Sequence, residues 1–308
     1  MPGPVSAVAC NAASPSRPSV VLHPDPESLA LAAASSIVQQ ARRSVKDRGR
    51  CSIALAGGAT PRRTYELLAR PPFVELMPWD DVHIFWGDER CVEPTDPRSN
   101  ERMAREALLD HVPIPPDQVH PMRCGGEDPD SPRPADPRAE IAARRRAEEY
   151  EGLLRAYFAP IGDAVGAGLH DRAGQAEPAL DLVLLGLGED GHTASLFPGS
   201  EVLRDEKRWV AATFVDTGPG AGPPGAGPLA AGGDVWRVTL TASFINGAAA
   251  VVFLVSGRAK AATVRDVLEG PIDSIRLPAQ LIRPKNGTLF WHLDDDSAAL
   301  LSLRPERS

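Results

Sequence analysis

His192 is the residue of this chain best placed to do chemistry. It lies in the run Asp181 to Ser200, DLVLLGLGEDGHTASLFPGS. The apolar stretch Leu182 to Leu185 reads as a strand buried on both faces, and Gly186, Gly188 and Gly191 then let the backbone turn tightly. Thr193, Ala194 and Ser195 follow, and Pro198-Gly199 stops any helix after little more than a turn. The imidazole is therefore presented at the carboxyl edge of a sheet, where open α/β folds place their ligands. An imidazole, with an ordinary pKa of about 6.5, can accept a proton at neutral pH, and Asp190, two residues earlier, could fix its tautomer. His23, His83, His111, His120, His170 and His292 lack this context and read as surface or packing residues.

Four further places combine reactive residue types with a strand end or a helix start. Gly57-Gly58-Ala59-Thr60 reads as a βα turn with Thr60 as N-cap and Pro61 at the first helical position, its free N–H groups suited either to capping alone or to receiving an anion or a developing oxyanion. Arg62 and Arg63 follow in the first turn, where their charge opposes the helix macrodipole, so at least one is expected to meet an anion. Trp86-Gly87-Asp88-Glu89-Arg90 places charge directly after an apolar strand: Arg90 offers a planar fork suited to phosphate, and Asp88 and Glu89 could orient such cations or substrate hydroxyls. Arg237 sits within the strand-like Val235 to Leu240, and Lys260 opens a helix after Ser256-Gly257. Taken singly, Arg237 would be an edge-strand surface residue and Lys260 a solvated helix position. Together with Arg90 they could form the local positive pocket that an acidic protein needs for a phosphorylated metabolite.

Several other chemistries do not fit. Gly186, Gly188 and Gly191 match the G-x-G-x-x-G spacing of a dinucleotide turn, but Pro198-Gly199 cuts the following helix short, and Asp205 and Glu206 precede the next strand instead of ending it. Ser195 has no G-x-S-x-G elbow, so water activated by His192 is simpler than a serine nucleophile. No G-x-x-x-x-G-K-[ST] loop occurs. No His or Cys stands at ligand spacing with Asp88 and Glu89, and neither a metal nor an organic cofactor is expected.

The elements that must hold these residues can be read from periodicity. The chain has 308 residues, 43% of them hydrophobic, enough for one large core or two modest ones, and 33 basic against 41 acidic side chains give a net charge of −8. Such a surface repels nucleic acid and anionic membranes, and no apolar run reaches the eighteen or so residues of a membrane span. Asp25 and Pro26 open a helix with Leu29, Ala33, Ile37, Ala41 and Val45 on one face. Strands are expected at Cys51–Ala56, Val82–Trp86, Leu180–Leu185, Trp209–Val215, Val235–Leu240, Ala249–Val255 and Thr288–Leu293. Helices are expected after Thr60 and near Ser99–Leu109, Ala139–Phe158 and Ala259–Leu268. Strands alternating with helices imply an α/β fold with a mainly parallel sheet. Residues 1–24, free of acid and rich in Ser, Ala and Pro, read as a flexible terminus, short and Arg-poor for a transit peptide. Residues 25–303 read as one domain with surface-loop insertions near 123–138, 162–177 and 217–233. Cys10, Cys51, Cys91 and Cys124 are far apart and form no C-x-x-C pair, which argues against a zinc knuckle, a redox motif or a disulfide scaffold and for a reducing, cytoplasmic setting.

Five blocks, LAGGATPRRTYELLA (55–69), WGDERCVEPTDPRSNERMAREALLDHVPIP (86–115), DLVLLGLGEDGHTASLFPGS (181–200), WRVTLTASFINGAAAVVFLVSGRAKA (236–261) and LPAQLIRP (277–284), resemble in order and spacing those of the 6-phosphogluconolactonase family. The resemblance runs from about Pro26 to Leu300. It implies a Rossmann-like sheet flanked by helices with a smaller α/β lobe, similar to glucosamine-6-phosphate deaminase and ribose-5-phosphate isomerase. It further implies hydrolysis of 6-phospho-D-glucono-1,5-lactone without metal or organic cofactor, with His192 as general base and Arg90, Arg237 and Lys260 on the phosphate. The partner implied is a small sugar-phosphate lactone, with the chain a monomer or weak homodimer. An isomerase or deaminase of the same fold and a non-catalytic sugar-phosphate sensor are the alternatives. The deaminase block resembles GHIGFNEPG, whereas this chain reads GHTASLFPG and lacks the Asn-Glu pair. A sensor would carry a basic recognition helix or second domain, which the sequence does not display.

Overall fold

The computed structural model describes residues 18–124, 137–159, 178–215 and 235–302, so the insertions expected at 162–177 and 217–233 and most of that at 123–138 lie outside the described residues. Among the described residues nine strands run in chain order: β1 (Ser19–His23), β2 (Cys51–Leu55), β3 (Val82–Trp86), β4 (Asp88–Arg90), β5 (Leu182–Leu185), β6 (Val210–Val215), β7 (Val235–Leu240), β8 (Ala250–Val255) and β9 (Thr288–Asp294). The α-helices are α1 (Pro26–Arg48), α2 (Ala59–Leu68), α3 (Phe73–Leu76), α4 (Asn100–Ala107), α5 (Pro137–Phe158), α6 (Ala242–Ile245) and α7 (Ala261–Leu268).

Six strands form a wholly parallel sheet in the order β1-β9-β8-β5-β2-β3. Every residue of β2, β5 and β8 is buried, as strands covered on both faces require. Asp25 caps α1 by accepting from Ser28 N–H at 2.7 Å, Pro26 takes the first turn, and Leu29, Ala33, Ile37 and Ala41 are buried along one stripe. Outward from the centre, β2 leads to β3 on one side, while β5, β8 and β9 extend on the other. The loops that follow β2 and β5 therefore part company side by side, the topological switch at which an open parallel sheet forms its crevice.

The smaller lobe is an antiparallel sheet, β4-β7-β6. Gly87 joins it to the large sheet: its N–H donates to Leu55 O at 2.8 Å, and its carbonyl accepts from Leu240 N–H at 2.8 Å. The two sheets share one hydrophobic core, which runs from Leu22 and Ile53 through Trp86 and Leu184 to Val238 and Leu240.

Four local expectations are corrected. Residues 19–23 are not part of a flexible terminus: SVVLH forms β1, paired in parallel along β9. Thr60 is not the N-cap of α2, because the helix begins at Ala59 with Gly58 as cap at φ +105°, and Thr60 exchanges a hydroxyl hydrogen bond with Ser256 at 2.7 Å. Arg237 is not on an edge strand, since β7 is the middle strand of the small sheet. Cys91 and Cys124 form a disulfide across 33 residues of sequence. The cause is tertiary: Cys91 directly follows β4, and Cys124 ends an extended segment that runs beside β3, where Val119 bridges Ile84 and His120 N–H donates to Ile84 O.

Candidate active site

The turn after β5 is built to hold one imidazole. Gly191 N–H donates to Gly188 O and Gly188 N–H to His192 O, closing a compact loop around Glu189 and Asp190. A Cβ on Gly188 would stand 2.1 Å from His192 Nδ1 and 2.4 Å from Asp190 Oδ1, so the absence of a side chain there is what admits the pair. His192 Nδ1 donates to Asp190 Oδ1 at 2.6 Å, and the His192 amide donates to the same oxygen at 3.1 Å. With the ring proton on Nδ1, Nε2 is the nitrogen that faces away from Asp190 and is available to accept one. Burial pushes the Asp190 carboxyl up, but the hydrogen bonds and charge of His192 outweigh it and hold the group below the ordinary aspartate range. His192 remains 24% exposed while Asp190 is only 7% exposed, so the base faces outward from a buried anchor. Two residues on, Ala194 takes φ +47°, a left-handed conformation costly for a residue with a Cβ.

The cations gather on the small sheet. Arg90 of β4 and Arg237 of β7 are paired directly across the ladder. Arg90 Nη1 donates to Asn100 Oδ1 at 2.6 Å and to Arg98 O at 2.8 Å. The Nε atoms of both Arg90 and Arg237 are buried without a hydrogen-bond partner among the described residues. Arg237 is only 6% exposed. Burial first, then the neighbouring Arg90, push its guanidinium down to about 10. Two adjacent guanidiniums, that of Arg237 buried and that of Arg90 partly so, whose buried Nε donors are unanswered among the described residues, are a costly arrangement unless an anion serves them. Phe197 links the two halves of the site, with its ring 4.3 Å from that of His192 and 5.1 Å beneath the Arg237 guanidinium.

Asp88 and Glu89 act within the protein. Asp88 Oδ2 accepts from Ser195 Oγ at 2.6 Å, tying the histidine loop to β4. Glu89 accepts from the amides of Arg90, Asn100 and Glu101 and from Ser99 Oγ, which makes it the anionic cap of α4. Burial nevertheless pushes its carboxyl up to about 7. Arg62 and Arg63 also find anions inside the chain: Arg63 pairs with Glu27 and Glu66, and Arg62 with Glu66 and Glu106. Lys260 lies in the turn between β8 and α7, 3.7 Å from Glu189 and so beside the histidine loop.

Asn100 is the residue that sequence reasoning missed. Its Nδ2 donates to Asp88 O at 2.9 Å while its Oδ1 receives Arg90, and a Cβ on Gly57 would lie 2.0 Å from that Oδ1. Gly57 is therefore the notch that seats Asn100. Gly58 supplies the cap of α2 with no side-chain cap hydrogen bond among the described residues, which leaves first-turn N–H groups of that helix for another acceptor. No group of three or more His, Cys, Asp or Glu side chains able to hold a metal occurs among the described residues.

A parallel sheet that opens at its switch point onto a histidine–carboxylate pair and two adjacent guanidiniums defines an α/β enzyme for a small anionic substrate. Residues 24–291 match the family described as glucosamine-6-phosphate isomerases/6-phosphogluconolactonase, and the chain belongs to that family. A 6-phosphogluconolactonase of Synechocystis is 38% identical over 263 residues, 85% of this chain and 89% of the relative. The solved structure of 6-phosphogluconolactonase from Trypanosoma brucei superposes with a TM-score of 0.72 at 33% identity, covering 93% of this chain and 99% of that one. A monomeric glucosamine-6-phosphate deaminase superposes at 0.65 with 21% identity, covering 92% and 99%, a likeness of fold alone.

Proposed function

We propose that this chain hydrolyses 6-phospho-D-glucono-1,5-lactone to 6-phospho-D-gluconate, the second step of the oxidative pentose phosphate pathway. The observation that carries the reading is the pairing of an outward-facing imidazole on a buried carboxylate with two guanidinium groups whose Nε atoms lack partners among the described residues. Arg90, Arg237 and Lys260 bind the phosphate and hold the lactone carbonyl at His192. His192 Nε2 takes a proton from water as the water oxygen bonds to C1, and the first-turn N–H groups of α2, beside Gly57 and Gly58, receive the oxyanion. Collapse of the tetrahedral intermediate breaks the bond from C1 to the ring oxygen, which takes the proton back from His192. The carboxylic acid formed then ionises. A lactone is a reactive ester, so one positioned base and an oxyanion site suffice, and no step calls on a metal or organic cofactor. Asp190 positions His192, and Asp88, Glu89 and Thr60 shape the site without touching the reacting atoms.

The remaining parts of the reading concern setting. No helix among the described residues is long and apolar enough to cross a membrane. We place the enzyme in the cytoplasm, as a monomer or weak homodimer with no nucleic-acid partner. The test is the rate of loss of freshly made phosphorylated lactone over its spontaneous hydrolysis, with a chelator present and no nucleotide. Acceleration supports the reading; no acceleration, or activity lost to the chelator and restored by a divalent ion, overturns it.

A further inference from the structure

We propose that Cys91 and Cys124 form a thiol–disulfide exchange site, through which a dithiol reductant controls how firmly Arg90 is held. The inference rests on the reading of Arg90 as a phosphate ligand. Cys91 directly follows Arg90, and its N–H continues the β4–β7 ladder to Trp236 O at 2.8 Å. The disulfide to Cys124 closes a ring of chain that contains the groups holding the Arg90 side chain, Arg98 O and Asn100. Inside the same ring lie Ser99, whose hydroxyl donates to Glu89, and the amides of Asn100 and Glu101 that Glu89 caps. At the far end, Arg123 pairs with Glu101 at 3.3 Å, an ion pair that is half exposed on the arginine side and a weak substitute for a covalent strut.

Cys91 and Cys124 are both half-buried residues, so the bond lies outside the sealed core. Cys51, by contrast, is fully buried, and its thiol is pushed up to about 12, chiefly by that burial, which keeps it out of exchange at neutral pH. In the exchange, one thiolate of a protein or small-molecule dithiol attacks a sulfur of the Cys91–Cys124 bond and expels the other as thiolate. The second thiolate of the reductant then resolves the mixed disulfide. The reductant leaves as a disulfide, and Cys91 and Cys124 are left as two thiols after gaining two electrons and two protons. The reduced chain keeps His192 and Asp190 in place, because they belong to a separate turn, but loses the covalent closure around Arg90.

Differential alkylation and mass spectrometry of protein purified without reductant should find Cys91 joined to Cys124, and dithiothreitol should open that bond. Steady-state assays on the two forms should give a KM for the phosphorylated lactone three- to tenfold higher in the reduced form, with kcat within about twofold. Cys124→Ser should reproduce the reduced form and ignore dithiothreitol, and reduction of the wild type tests the same point without a substitution. Free Cys91 in the oxidised preparation, or equal KM values in the two forms, overturns the proposal. Arg90→Ala separates the two layers. If it abolishes discrimination between phosphorylated and unphosphorylated lactone while wild-type KM ignores reduction, the exchange site fails and the phosphate reading stands. If discrimination survives Arg90→Ala, the phosphate reading fails and the proposal with it.

Discussion

The histidine loop and the cation arm meet at one end of the molecule but differ in how complete each is on its own. His192 is held by a short stretch of chain: Asp190 lies two residues away, Gly188 makes room, and four of the loop's hydrogen bonds join residues within four of one another. Arg90 and Arg237 are assembled from strands far apart in sequence, supported by Asn100, and left with buried Nε donors unanswered among the described residues. A base must be ready before the substrate arrives, so its partners are internal. An anion receptor is strongest when the protein does not neutralise its own donors.

The comparison predicts that the two halves fail differently. The largest effect belongs to His192→Asn, which removes the base and leaves the cation arm intact. Loss of a general base commonly costs about 10² to 10⁴ in rate, so kcat should fall at least a hundredfold while 6-phosphogluconate still binds. The acid limb of the wild-type pH profile should also vanish in the variant. A folded variant retaining more than about a tenth of wild-type kcat breaks the assignment.

Arg90→Ala should act on the other half. Charge-assisted contacts to phosphate are worth about 1.5 to 3 kcal/mol each, so kcat/KM for the phosphorylated lactone should drop tenfold or more. The unphosphorylated lactone should be almost unaffected. An equal loss on both substrates would show that Arg90 serves the fold and not the phosphate.

Gly57→Ala sharpens the contrast because it reaches the cation arm through Asn100. The new methyl would overlap Asn100 Oδ1, whose side chain is nearly fully buried and has little room to yield. The expected result is a three- to tenfold rise in KM with a smaller change in kcat. A fall confined to kcat would place Gly57 in the oxyanion site and not beneath Arg90.

The same asymmetry explains what was legible in the sequence. β2, β3, β5 and β8 are apolar runs bounded by glycine or charge, and His192 stands out because its glycines, its acid and its strand are neighbours in the chain. Asn100 carried no signal, since its role depends on a notch at Gly57 that only the folded chain brings near. β4 is three residues long and charged, too short for periodicity to reveal. The β1 sequence SVVLH was overshadowed by the Ser- and Pro-rich stretch before it, and its pairing with β9 spans nearly the whole chain. Spacing rules for cysteine look for close pairs, and Cys91 and Cys124 are brought together by the packing of β4 beside the segment that passes β3. In the chain-entropy account, closing a ring of this length stabilises the fold by about 3 to 4 kcal/mol.

The smallest effect on turnover is expected from Glu89, and here the two halves differ in proton affinity. Asp190 and Glu89 are both buried carboxyls that accept several hydrogen bonds, yet Asp190 is held below its ordinary range by His192, while burial drives Glu89 up to about 7. A carboxyl whose folded pKa is raised takes up protons on folding. Its contribution to stability is therefore fully present below its unfolded pKa of about 4.5, and it is lost as pH rises through about 7. The span corresponds to something on the order of 3 kcal/mol. Glu89→Gln replaces one accepting oxygen with a donor among the amides of α4, so Tm should fall at pH 5. Its pH slope should nevertheless flatten between pH 5 and 8, where the wild type declines. Turnover should stay within about twofold, because Glu89 touches helix amides and not the substrate. Melting curves at pH 5 and 8 for both proteins decide the matter: parallel slopes would mean that Glu89 is ionised throughout, and that the cation arm rests on a charged cap as firmly as His192 rests on Asp190.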